Sequence, residues 1–566
     1  MQSKLFFSLA MGSALVLTSC SKLGELSADN FTVTPSPMEA AGGKVALTIN
    51  GRFPEKYMKK KAVVTVVPEI RHAGGKAVGQ GATFQGEKVQ GNDQEISYKL
   101  GGNYTMKNHF DYVPAMQKSE LYLTFQARVG KKVVEVPAVK VADGVLATSE
   151  LVGRTVGSSH TAVAPDAYQY AIQQTKQAQI KYLINQANIR TSELTSTSVQ
   201  EFVQTLRDIK ADQKGFMLDN IEVSAYASPE GSIKVNTALA EKRQQSSGDY
   251  VDKQLKQAQL DAEVDKRYTA EDWEGFQELV KASNIQDKDV ILRVLSMYTD
   301  PEEREQQIRN LSAGFQELAQ EILPELRRAR LTIHYNLIGR SDDEIQDQFK
   351  ADAKQLSVEE LLYAATLTEN AGEQKDVFQK TTQLYPTDYR AYNNLASLAF
   401  AEGDLAAAKR YLDQAATVKA DAAETNANLA LVALAEGDDA AAETYLSKAT
   451  TAENYNEVLG NLLVARGSYA QAAQCLQGVS SNSAALAQIL NKDYSSAAST
   501  LGRIATPDAM TSYLKAIVAV RTNQDAAVVS NLKQAFQLDS SLKQYAQKDL
   551  EFVSLFNDAA FLNLVK

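Results

Sequence analysis

A chain of 566 residues exceeds what one hydrophobic core supports and implies several domains. Its hydrophobic fraction of 44% and charged fraction of 23% are those of a folded globular protein, which excludes a disordered or fibrous chain. The formal charge of −10, from 59 Lys plus Arg against 69 Asp plus Glu, forms no basic stripe and gives no reason to expect nucleic acid as a partner.

The first element is an amino-terminal apolar run. Lys4 supplies a positive start and Leu5 to Leu17 is almost wholly apolar or small, too short for a comfortable bilayer span and of signal-peptide length. It ends in Leu17-Thr18-Ser19-Cys20, which resembles a bacterial lipobox. That resemblance implies a lipoprotein signal peptide over 1–19, a covalent lipid on Cys20 and a lipidated tether over 20–30. No other cofactor is expected. Ser21 stands where an Asp would signal inner-membrane retention, so the expected address is the outer membrane. Lys22-Leu23-Gly24-Glu25 lacks the acidic cluster of surface-exported lipoproteins, which favours the periplasmic face over the cell surface. With Cys20 acylated, Cys475 is the one thiol left, so no intramolecular disulfide is expected, and Cys475 reads as a small buried hydrophobe.

Residues 31–147 carry strand patterns: Lys44-Val45-Ala46-Leu47-Thr48-Ile49 alternates, and Ala62 to Val67 is β-branched and expected to end at Pro68. Leu121 to Phe125 and Lys132 to Val136 are similar, so the expectation is a β-sandwich, immunoglobulin-like, serving as spacer or docking surface. The Ser, Thr, Gly and Val content of Thr148 to Pro165 reads as a linker, taken to run over 148–177.

Over 178–340 strands and helices alternate. Strands are expected at Gln179 to Ile184, Ile221 to Tyr226 and Leu331 to Tyr335, and helices from Thr197 and over Val235 to Leu255, giving an α+β sandwich. Ala227-Ser228-Pro229-Glu230-Gly231 followed by Asn236 to Arg243 resembles the strand, turn and helix of OmpA-like peptidoglycan-binding domains, with a large insertion before the last strand. The resemblance implies a ligand site at Ser228, Glu230, Gly231, Asn236 and Arg243. Arg243 would fork onto a stem-peptide carboxylate. Ser228 stands at the family's Asp position, where a hydroxyl cannot replace the charge on the ligand ammonium, and Glu230 is the nearby substitute. The alternative is a domain that keeps the fold and docks protein instead.

Over 357–566 the chain is Ala-rich and helical. Gly403-Asp404 and Gly437-Asp438 recur 34 residues apart, and Leu395, Ala396, Ala408, Leu412 and Ala415 are matched by Leu429, Ala430, Ala442, Leu446 and Ala449. This resembles tetratricopeptide repeats and implies an all-α solenoid with a concave groove for peptides or protein surfaces. Groove candidates are Tyr392, Asn393, Asn394, Asn426 and Asn428, since asparagine can hydrogen-bond an extended backbone. Weaker copies follow, with Leu550 to Val565 as a capping helix.

No Walker loop, His-Glu-x-x-His, Gly-x-Ser-x-Gly or Cys/His cluster occurs, and the four histidines (His72, His109, His160, His334) fall in different segments, so neither a catalytic residue nor a metal ligand is expected. The expected function is a non-enzymatic lipid-anchored scaffold binding envelope or outer-membrane proteins, with peptidoglycan as a further partner. A surface-displayed ligand-capture lipoprotein and a peptidoglycan-acting envelope enzyme are the rivals.

Overall fold

The computed structural model describes residues 23–566 except Gln286 and Leu311. The signal-peptide segment and Cys20 lie outside the described residues. The chain forms two compact units: residues up to Pro165 join Thr368–Lys566, and Asp166–Leu367 stands as the second.

In the first unit the strand-rich region builds two sheets. In one, Lys44–Phe53 pairs antiparallel with Phe31–Thr34, Met38–Ala41 and Gly102–Asp111. In the other, Ala62–His72 pairs with Ser119–Val129, Ala82–Gly86 and Gly75–Val78. Alternating burial along Lys44–Phe53 and Ala62–His72 sends Val45, Leu47, Ile49, Val64, Val66 and Ile70 into one shared core with Leu121 and Leu123. Pro68 does not end its strand. On one edge Ala82–Gly86 covers Val63 to Val66 and Gly75–Val78 covers Glu69 to His72, so Pro68 falls in the gap between partners, where no ladder donor is needed.

The helical part of this unit runs in pairs. The helices are α1 (Ala371–Leu384), α2 (Tyr389–Ala401), α3 (Leu405–Val418), α4 (Ala423–Glu436), α5 (Asp439–Leu446), α6 (Tyr455–Ala465), α7 (Tyr469–Cys475), α8 (Asn482–Leu490), α9 (Tyr494–Arg503), α10 (Ala509–Arg521) and α11 (Asp525–Leu538). The Gly-Asp repeat has a local cause. Gly403 and Gly437 take φ of +77° and +79° to end one helix, and the Asp404 and Asp438 carboxylates then accept from the Ala407 and Ala441 N–H groups to start the next. The even-numbered helices are buried nearly all round: in α4 every residue from Thr425 to Leu434 is buried. The odd-numbered ones bury a single stripe, such as Ala408, Leu412 and Ala415 in α3. A 3-10 turn at Leu550–Leu555 and a short helix, Ala559–Val565, close the array.

The second unit has a four-stranded sheet in the order Ala171–Lys181, Arg328–Ile338, Phe216–Tyr226, Glu263–Thr269. Helices Thr197–Ala211 and Ile233–Ala258 cover one face through Phe202, Leu206, Val251 and Leu255. The strand Ala171–Lys181 begins inside the stretch read as linker. The strand Glu263–Thr269, parallel to Phe216–Tyr226, was not expected, because it lies at the sheet edge and carries Glu263, Asp265, Lys266 and Arg267 instead of an apolar face. The insertion after it packs on its own core of Phe276, Val280, Ile291, Leu295, Leu318 and Leu326. The unit extends to Leu367, past the expected start of the array at 357.

Candidate functional site

The segment Ala147–Pro165 corrects the linker reading. It leaves the sandwich after strand Val145–Leu146, makes three one-turn helices at Thr148–Leu151, Val152–Thr155 and Val156–Ser158, and lies along the inner helices of the array. Leu151, Thr155 and Val156 are fully buried. Leu151 joins the core of Val464, Leu476 and Leu486, while Val156 and Ala162 join that of Ala396, Leu429 and Leu462. Ser149 Oγ donates to the Ala40 carbonyl at 2.8 Å, tying the start of the segment to the sandwich, and Thr148 Oγ1 donates to Glu551.

Beyond Ser159 the segment is held by its main chain. Asn428 Oδ1 accepts from Ala162 N–H at 2.8 Å, and Asn428 Nδ2 donates to the Ala162 carbonyl at 2.8 Å. Asn394 grips Ala164 in the same two-point way, at 2.8 and 3.0 Å. Asn393 Nδ2 adds a second donor to the Ala162 carbonyl at 2.9 Å, and Arg390 Nη1 reaches the Pro165 carbonyl at 3.3 Å. Contacts on every second residue mark an extended main chain, with each asparagine amide standing in for a neighbouring strand's peptide group. The asparagines are 0 to 3% exposed and their donors and acceptors are satisfied, so the segment relieves a desolvation cost as well as adding bonds.

Further along, Asn454 Nδ2 donates to the His160 carbonyl at 2.8 Å and Asn461 Nδ2 to Ser159 Oγ at 3.1 Å. His160 Nδ1 lies 3.0 Å from Glu457 Oε2, and burial pushes the Glu457 carboxyl above the usual carboxylate range. Ser483 Oγ donates to Thr155 Oγ1 at 3.2 Å.

Of the expected groove residues, Asn393, Asn394 and Asn428 therefore meet here. Asn426 does not, since its Nδ2 donates to the Ala420 and Ala422 carbonyls at the start of its own helix, and Tyr392 is half-buried with no part in these bonds. Asn454, Glu457 and Asn461 were missed; their spacing along one face of α6 is the signal that was available. Cys475 is half-buried, and burial raises its thiol pKa, so it is not an activated nucleophile.

In the second unit the five OmpA-type residues gather where strand Phe216–Tyr226 ends and helix Ile233–Ala258 begins. Arg243 is fully buried. Its Nε, Nη1 and Nη2 donate to the carbonyls of Gln186 (3.0 Å), Tyr226 (2.9 Å) and Leu183 (3.2 Å), and its guanidinium lies 5.1 Å from the Tyr182 ring centre. Burial lowers its pKa to about 10, so it stays charged at neutral pH. Glu230 is held by Arg327 Nε at 2.8 Å and Nη2 at 3.0 Å, and Ser228 Oγ donates to it at 2.7 Å. Asn236 Nδ2 donates to the Gly231 carbonyl at 2.9 Å and to Glu271 at 3.2 Å. The expected fork of Arg243 onto an outside carboxylate is closed in this arrangement, because the guanidinium serves three backbone carbonyls. Arg327, which neutralises Glu230, had been given no role from sequence.

No family model and no curated protein matches the sequence. Several solved structures are similar to it. A tetratricopeptide repeat protein from Parabacteroides merdae is 11% identical, with 44% of this chain and 99% of that one covered and a TM-score of 0.28. PilF from Pseudomonas aeruginosa is 16% identical, with 38% and 99% covered and a TM-score of 0.26. Yeast Tom70 is 10% identical, with 66% and 86% covered and a TM-score of 0.24.

Proposed function

We propose that the protein is a non-enzymatic scaffold of the bacterial outer membrane, lipid-anchored through Cys20 on the periplasmic face. Its helical array holds envelope proteins, as an accessory subunit of a secretion or outer-membrane assembly machine. One observation carries the protein-binding part. The inner helices present a row of buried asparagines that seat an extended main chain by its peptide groups, a mode of recognition indifferent to most side chains. The lipobox resemblance supports the address, and tethering raises the effective concentration of the array at the membrane.

The OmpA-like reading of the second unit is supported by Ser228, Glu230, Gly231, Asn236 and Arg243 gathering at one strand end. Between its two roles, the geometry favours protein docking over peptidoglycan, since Arg243 and Glu230 already have charged or carbonyl partners within the unit. Purified cell walls are expected not to pull the protein down; retention that Arg243→Ala abolishes in a still-folded protein would reinstate the peptidoglycan site.

The scaffold reading is tested by crosslinking in intact envelopes, mild-detergent purification and identification of co-purifying proteins. Defined envelope proteins crosslinked to residues of the array are expected. Recovery of the protein alone, or cleavage of the array by protease added to intact cells, would count against it; the latter favours the surface-displayed rival. Turnover of purified cell wall, lost on one carboxylate substitution, would favour the enzyme.

A further inference from the structure

The groove is well matched to its internal occupant at one end and poorly matched at the other. Over α2 and α4, Asn394 and Asn428 have both amide atoms engaged by Ala164 and Ala162. Over α6 the match fails. Asn454 Oδ1 and Asn461 Oδ1 are buried and accept from no donor, although the Nδ2 atoms of the same two amides hold His160 and Ser159. Between them on the same helix face sits Glu457, 5% exposed, with His160 as its ionisable neighbour. The His160 side chain is itself 69% exposed and brings a single ring nitrogen.

Buried acceptors without donors and a buried acid together ask for a cation with several N–H groups. A guanidinium offers five donors in a planar fork, and imidazole offers two at most. At the other end the requirement is steric: Ala162 and Ala164 are 2% and 1% exposed, leaving no room for larger side chains, whereas Val163 and Pro165 face outward.

We propose that Ser159–Pro165 is an internal stand-in for an outside ligand, and that the ligand is an extended peptide with arginine at the His160 position and small residues at the Ala162 and Ala164 positions. The inference rests on the array being a protein-binding groove and specifies what that groove selects. An incoming chain with this pattern forms every main-chain bond the internal segment forms, and adds the donors missing at α6. The internal segment, bound in cis and therefore at high effective concentration, keeps weaker peptides out.

The test uses the full chain carrying Ala162→Lys and Ala164→Lys, which unseats the internal segment. The probes are two fluorescent peptides of the Gly157–Ala167 sequence, one native and one with His160→Arg, read by fluorescence anisotropy. The arginine peptide is expected to bind at least tenfold more tightly than the native one, and Glu457→Gln is expected to erase that preference. Equal affinities, or binding of neither peptide to a protein that still melts cooperatively, would overturn the proposal. If the double-lysine variant fails to fold, His160→Arg is placed in the otherwise unchanged chain. Amide exchange at Ala162 and Ala164 is then expected to slow at least tenfold, and unchanged or faster exchange would overturn the proposal. Loss of co-purifying proteins with peptide selection intact fails the scaffold reading alone; the reverse fails this inference alone.

Discussion

Two buried ionisable residues have opposite accounts. Arg243 is a positive charge surrounded by carbonyl dipoles, three of them accepting from it directly. Replacing it by alanine removes three hydrogen bonds from a charged donor and leaves a void where a fully buried side chain stood, together about 3 kcal/mol or more. Arg243→Ala should therefore lower the urea unfolding free energy of the second unit by at least about 3 kcal/mol, and Arg243→Lys should not restore it, because an ammonium cannot reach three divergent carbonyls at once. A fully stable Arg243→Ala protein would return this residue to the role of a free ligand-binding group. Asp549, in the first unit, is fully buried; burial, and then the neighbouring Glu551 charge, push its carboxyl up to about 7. Tyr513 donates to its Oδ2 at 2.7 Å and the Glu551 N–H to its Oδ1 at 3.0 Å. The native carboxyl thus holds a proton that the unfolded chain releases near its ordinary value of 3.8. Stability falls as pH rises from that value through about 7 and stays at the lower level beyond. Asp549→Asn should flatten this pH dependence in thermal melts between pH 5 and about 8; an unchanged slope would assign it to other groups.

Among the elements, the turns between paired helices set the geometry of the array. The left-handed position recurs at Gly403, Gly437, Gly467, Lys492 and Asn523. Lys492, at φ +64°, adopts a conformation that costs an L side chain about 1–2 kcal/mol, against about 0.5–1 kcal/mol for the extra chain entropy of glycine. Lys492→Gly should raise the unfolding free energy by up to about 1 kcal/mol. Gly460 has another cause: a Cβ there would lie 2.4 Å from Leu476 Cγ, and Leu476 is itself 1% exposed. Gly460→Ala should cost about 1–3 kcal/mol in a urea titration by driving α6 and α7 apart. The repeat was legible because Gly-Asp turns and crossing alanines recur at fixed spacing. The edge strand Glu263–Thr269 was not, since main-chain pairing alone places it and its side chains carry no apolar alternation.

The whole first unit depends on a segment that resembled a linker. Ala147–Pro165 binds through peptide groups and small side chains, so its Ser, Thr, Gly and Val content shows neither a helix nor a strand period. The signal lay instead in its partner. A solenoid with an open groove needs a solvated inner face, yet α4 from Ala427 to Leu434 offers only Asn428 as a polar residue, and that one is buried. An inner helix without a wet face implies that something covers it. Half of the candidate site was thus readable, as the asparagines, and its occupant was not. The OmpA-type motif was legible as a cluster, but of its internal partners only Tyr226 adjoins the motif, while Leu183, Gln186 and Arg327 come from chain-distant loops that no local spacing reveals.

The most direct measurement is hydrogen exchange of the intact chain, read on peptides covering Thr155 to Asp166. A segment seated in the groove should keep the Ala162 and Ala164 amides protected to nearly the degree of the α4 interior, and Asn394→Ala with Asn428→Ala should remove most of that protection. Exchange of those two amides in the wild-type chain at the rate of an unstructured peptide would contradict the account.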